Sequence, residues 1–241
     1  GPNTAKGADY YWNVNKQSAH LLDEIRQAFM EGNQEKAEML TRQNFNSEVS
    51  YDADGETPFR FGSFTTMGEF YVETGLNIIG MSDYKRILSL DSAMAVVQFK
   101  KDYVAYQRNY FISYPANVMV MRFSADQPGK QNLVFSYAPN PVSTGNMASD
   151  SNKGLVYSAS LDNNGMKYVV RIQAETKGGT LSNADGKLTV KGADEVVFYI
   201  TADTDYKPNF DPDFKDPKTY VGVNPEETTK QWMNNAVLQG Y

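Results

Sequence analysis

Apolar side chains recur at three- and four-residue steps through Leu21, Leu22, Ile25 and Phe29, and this spacing predicts a helix over NKQSAHLLDEIRQAFMEGN. Asn15 can cap its start, and Gly32 can take the left-handed conformation after its end. NQEKAEMLTRQNF follows at once, with Asn33 as a cap and Ala37, Leu40 and Asn44 along one side, so a short helical hairpin is predicted. Its narrow apolar stripe suits a helix lying on a larger body.

From Ser50 onward the period shifts from 3.6 toward 2. In VMVMRFSA one face holds Met119, Met121, Phe123 and Ala125, while the other holds Val118, Val120, Arg122 and Ser124. KYVVRIQAE sets Tyr168, Val170, Ile172 and Ala174 against Val169, Arg171, Gln173 and Glu175. In EVVFYITA both faces are apolar, which predicts a central strand covered on both sides. Turn residues punctuate these runs: DNNG at 162–165, NADG at 183–186, and YPAN at 114–117, where Pro115 splits an apolar stretch into strands 104–113 and 118–126. Antiparallel meanders are the expected result.

DTDYKPNFDPDFKDPKTY has no periodicity and marks a loop or a domain edge. Helical spacing returns through Trp232, Ala236 and Gln239, with Asn224 before Pro225 as its start. The expected organisation is a helical hairpin over 1–48 packed on the sandwich, a β-sandwich over 49–222, and the start of a helical linker over 223–241.

Composition narrows the function. The 241 residues can bury a sizeable core, and the 16 Tyr and 13 Phe among 18 Gly and 10 Pro favour sheets joined by tight turns. A net charge of -6, with 23 Lys and Arg spread along the chain, opposes a nucleic-acid partner. There is no cysteine, which removes thiolate metal sites and cysteine nucleophiles, and no apolar run is long enough to span a membrane. The opening GPNTAKGADYYWNVN carries no signal peptide, so any export signal is expected outside this chain, and an opening without an initiator Met suggests a fragment.

Candidate chemistry is sparse, and no cofactor is expected. His20 is the only histidine and reads as a surface or packing residue, because metal sites and catalytic triads need companions that the sequence does not place near it. Asp203, Asp205, Asp211, Asp213 and Asp216 cluster, yet their spacing fails the EF-hand pattern and fits turns. Glu69, Glu73, Asp83 and Asp91 could supply a carboxylate pair, but any chain with 29 acids offers such pairs. Arg108 and Arg122 sit on strand faces, where arginines extend along the sheet or pair with a carboxylate on the next strand. The candidate binding residues are Tyr10, Tyr11, Trp12 and Asn13, whose aromatic faces could dock into a neighbouring domain or stack on sugar rings; domain docking is the preferred reading.

Three stretches taken together carry a family resemblance: YKRILSLDSA, YQRNYFISYP and VKGADEVVFYITADTDY. With the opening GPNTAKGADYYWNVN they resemble the N-terminal domain of glycoside hydrolase family 95, the α-L-fucosidases. The resemblance implies a mainly β fold, a β-super-sandwich of two stacked antiparallel sheets, joined by a linker helix to an (α/α)6 catalytic barrel that lies beyond this chain. It also implies an exported, periplasmic or cell-surface parent enzyme that hydrolyses fucosylated glycans by inversion, with the catalytic residues in the barrel and none in this chain. Family members place an initial strand before this point, which leaves open what replaces it here. Two alternatives stay open: a stand-alone carbohydrate-binding module, and the same domain of an α-L-galactosidase.

Overall fold

The computed structural model describes residues 18–45, 66–162, 165–208 and 221–241. It divides into two compact units, residues 1–64 and 65–241.

In the first unit a single 3-10 turn, Ala19–Leu21, leads into α1 (Leu22–Met30), and α2 (Gln34–Asn44) follows. The predicted cap forms, with the Asn33 side chain accepting a hydrogen bond from the Lys36 amide at 3.1 Å. Gly32, at φ 74°, makes the left-handed exit between the helices. Ile25, Ala28 and Ala37 form the small core, flanked by Leu21, Leu40 and Phe45. The stripe drawn from sequence therefore needs correction at two positions: Leu22 and Phe29 are exposed, and Ala28 is buried, a small side chain suited to the face where two helices pack. Asn15, offered as the cap of α1, lies outside the described residues.

The second unit is mainly β, as predicted. Among the described residues its strands are β1 (Gly68–Glu73), β2 (Ser82–Ser89), β3 (Met94–Lys101), β4 (Val104–Ser113), β5 (Val118–Ala125), β6 (Gln131–Pro139), β7 (Ser143–Ser151), β8 (Gly154–Leu161), β9 (Lys167–Lys177), β10 (Thr180–Ala184), β11 (Lys187–Ala193) and β12 (Glu195–Thr204). They form a four-stranded sheet in the order β1-β6-β11-β10 and an eight-stranded sheet in the order β2-β3-β4-β5-β12-β9-β8-β7. Every pairing between them is antiparallel.

The strands on either side of each predicted turn pair as hairpins, with residues 163–164 of the DNNG turn outside the described residues. Asp185 and Gly186 both have positive φ, 52° and 69°, the backbone that a two-residue I′ turn requires. Asn117, at φ 49°, closes the turn between β4 and β5 after Pro115.

The two sheets meet through one core. Phe123, Phe198, Ile172, Leu155 and Tyr157 of the larger sheet pack against Leu133, Phe135, Tyr137, Leu188 and Val190 of the smaller. Phe198 stacks on Phe135 at 4.7 Å and meets Phe123 edge-on at 5.9 Å. The prediction for EVVFYITA holds: β12 lies between β5 and β9, its Phe198 face in this core, while Val197 and Tyr199 lie under a helix, α3 (Pro225–Gln239), with Val118, Val120, Met233 and Ala236.

Asn224 caps α3 by accepting from the Glu226 amide at 3.1 Å. The face it buries is Pro225, Thr229, Met233 and Ala236, so of the line Trp232, Ala236 and Gln239 read from sequence only Ala236 is buried. Thr201 of β12 fixes that choice by donating to the Thr229 carbonyl at 3.1 Å.

Candidate functional site

β9 and β12 alternate strictly, so Val169, Arg171 and Gln173 face away from the sheet-sheet core, as does Thr201 opposite Arg171. α3 covers part of this outer surface and leaves part open. At the border stands Arg171, 4% exposed. Its guanidinium bridges two carboxylates from other elements, Asp150 of β7 at 2.5 Å and Glu226 in the first turn of α3 at 3.2 Å. Ser158 of β8 also donates to Glu226. A carboxylate at a helix N-terminus is favoured by the amide dipoles there, and here two side chains fix its orientation as well.

Beside this cluster lies a groove of about 330 Å3 lined by Thr144, Ser158, Ser160, Lys167, Asn224 and Glu226. No local pattern announces it. Thr144, Ser158 and Lys167 belong to three strands, and Glu226 is 55 residues from the arginine that holds it.

Replacing Arg171 with Met should cost about 2 kcal/mol, less than breaking a fully enclosed pair, because Asp150 and Glu226 keep roughly a third of their side-chain surface in water. Urea unfolding followed by circular dichroism would measure it. A variant as stable as the parent would mean that the cluster is not formed in solution.

The two arginines singled out from sequence, Arg122 and Arg108, have structural partners. Arg122 pairs with Glu195 of the neighbouring strand β12, and its guanidinium lies 4.7 Å from the centre of the Tyr241 ring. Arg108 sits over Phe99 at 5.1 Å and Phe123 at 5.7 Å.

The acids considered for glycoside chemistry are exposed and divided: Glu69 and Glu73 on β1 of one sheet, Asp83 on β2 and Asp91 beyond it in the other. Tyr71 donates to Glu69, and Lys100 stands 2.8 Å from Asp83, holding that carboxyl below its usual range. Asp205 is buried and accepts from the Lys167 amide at 2.9 Å, a turn role, while Asp211, Asp213 and Asp216 lie outside the described residues. His20 stands exposed in the 3-10 turn. Among the described residues no group of three or more His, Cys, Asp or Glu could hold a metal ion, and no helix is long and apolar enough to cross a membrane. Tyr10, Tyr11, Trp12 and Asn13 lie outside the described residues.

Buried phenols are the strongest electrostatic feature. Burial pushes Tyr137, Tyr168 and Tyr199 above the ordinary tyrosine value. Tyr137 donates to the Met67 carbonyl at 2.5 Å, and Tyr168 exchanges a hydrogen bond with Ser143 at 2.8 Å.

Comparison with known proteins places the chain in a family. The family model described as "Glycosyl hydrolase family 65, N-terminal domain" matches residues 2–209. The number is 65 where the sequence resemblance pointed to 95; the two agree on the N-terminal domain of a glycoside hydrolase. A curated relative, "Probable alpha-fucosidase A" of Aspergillus niger, is 29% identical over 197 residues, covering 78% of this chain and 24% of the relative. The chain thus spans about a quarter of that relative's length. A solved structure, "Putative kojibiose phosphorylase from human microbiome", aligns with a TM-score of 0.42 at 11% identity, covering 71% of this chain and 24% of that one.

Proposed function

The chain belongs to the glycosyl hydrolase family 65 N-terminal domains, and from that premise we propose that it is the non-catalytic β-sandwich domain of an exported α-L-fucosidase acting on fucosylated glycans. The observation that carries the reading is the match over residues 2–209 to a domain defined as N-terminal, supported for the sugar by the fucosidase relative. In this reading the sandwich supports an (α/α)6 catalytic domain of the same parent chain. Residues 223–241 begin the connection to it, and Tyr10, Tyr11, Trp12 and Asn13 dock against it.

The test is turnover of an aryl α-L-fucoside. The 241-residue chain alone is expected to show none above background, and the parent enzyme to hydrolyse it. Turnover by the isolated chain that survives purification and is lost on a single carboxylate substitution would overturn the reading. A parent enzyme that prefers the L-galactoside would replace the fucosidase assignment and leave the scaffold role in place.

A further inference from the structure

The groove between α3 and β7–β9 has a definite chemistry. Register aligns Thr144 with Ser160 and Ser160 with Lys167, so two hydroxyls and an ammonium form a row across three strands. Ser158 lies one step along the same face of β8, opposite Val169, and Asn224 and Glu226 form the wall. Thr144 already donates to Asp162 at 2.8 Å, so the row offers Ser160 and Lys167 as donors and a Thr144 lone pair as an acceptor, and the wall adds a fixed acceptor.

How that acceptor is fixed separates the groove from an ordinary wet sheet surface. Glu226 is held by Ser158 and by Arg171, and Arg171 is held in turn by Asp150. Arg171 is buried, and its Nε has no hydrogen-bond partner, so the cluster leaves a polar atom unsatisfied. Buried ion pairs of this kind give little net stability compared with apolar packing, whereas they are effective at holding a surface group in one orientation.

Charge decides what can enter. Lys167 and Glu226 face the same space, and Arg171 behind the wall is balanced by Asp150. A phosphate or sulfate would meet one ammonium and one carboxylate, within a chain of net charge -6. An apolar ligand could rest on Ala159, Val169 and Pro225 but would cover the Lys167 ammonium and the Ser160 hydroxyl without offering them a partner. A neutral polyol satisfies the set, since each of its hydroxyls both donates and accepts.

We propose that this groove binds one ring of a neutral saccharide, with Glu226 accepting from the sugar and Lys167, Ser160 and Thr144 bonding to its oxygens. A volume of about 330 Å3 lies at the small end of ligand sites, which suits a single ring and not a long chain. The proposal is independent of the scaffold role: a domain that supports a barrel and binds no sugar would sink this inference alone.

The experiment is a two-dimensional amide NMR titration of the 241-residue chain with L-fucose, D-glucose and D-galactose, and with D-glucose 6-phosphate as an anionic control. Saturable shifts are expected for at least one neutral sugar, confined to residues 144, 158–160, 167–169 and 224–226, and weaker for the phosphate. Lys167→Ala and Ser160→Ala should each weaken binding roughly tenfold, the effect of losing one hydrogen bond, with the unfolding midpoint unchanged. Lys85→Ala on β2, outside the groove, should bind as the parent does. No saturable shift at the solubility limit of the sugars, shifts confined to other residues, or undiminished binding by both groove variants would each overturn the proposal.

Discussion

Replacing Phe198 with alanine is expected to remove about 3 to 5 kcal/mol of stability, the range for truncating a large buried aromatic. The ring is fully buried at the centre of β12, where it touches Phe123 within its own sheet and Phe135 of the opposite sheet, so the cavity opens at the junction of the two layers. Neither sheet can close on it without shifting backbone that is hydrogen-bonded on both sides, because β12 is paired along both edges. Urea unfolding followed by circular dichroism reads the loss directly. If the alanine variant does not fold, Phe198→Leu should fold and lose a smaller part of the same stability. A cost under about 1 kcal/mol for the alanine variant would mean that the two sheets do not meet at this ring.

Alkali is expected to destabilise the protein steeply from about pH 10 upward. Tyr137, Tyr168 and Tyr199 are 7%, 1% and 3% exposed, and burial raises each folded phenol above the unfolded value of 10.0. Below that value both states are protonated and the phenols contribute their full stability. Above it the unfolded chain releases protons that the folded chain retains, so stability falls until the folded groups also ionise. Each such tyrosine removes stability as the pH rises from its unfolded value toward its raised folded value, and Tyr137, whose phenol is pushed up strongly by burial, does so over a wide span. Phenolate absorbance against pH should show these tyrosines ionising together with the loss of β-sheet circular dichroism. Their ionisation near pH 10 while the sheet signal persists would show that the phenols are accessible in the native state.

Some elements were legible because their signals are local. The Asn33 cap, the Gly32 exit, the Asp185–Gly186 turn and the Pro115 turn each depend on a few adjacent residues, and all four form. The inward faces of β5 and β9 follow from alternation alone, since a strand of period 2 must put alternate side chains on one side. β7 was illegible for the same reason. STGNMASDS has no apolar alternation, and only its pairing with β8 makes it a strand.

The chemistry of Arg171 was equally hidden. Its residue type and its outward face are plain in VVRIQ, but Asp150 and Glu226 come from a polar edge strand and a helix that no spacing rule links to it. The helix α3 shows a milder case. Its start was readable from Asn224 and Pro225, whereas its buried face was set by Thr201 and the apolar strip of β5 and β12 beneath it.

By itself, then, the sequence determined which segments become helix or strand where the pattern is periodic, which side of each such strand is apolar, and where the tight turns fall, since these depend on backbone sterics and on neighbours a few residues away. Only the tertiary structure decided that β12 lies between β5 and β9, that α3 covers part of the outer face, and that a buried arginine fixes a carboxylate at the rim of a polar groove. Those outcomes depend on segments 21 to 55 or more residues apart meeting in space, and pairing of that range is selected by the burial of whole faces and not by any short run of residues.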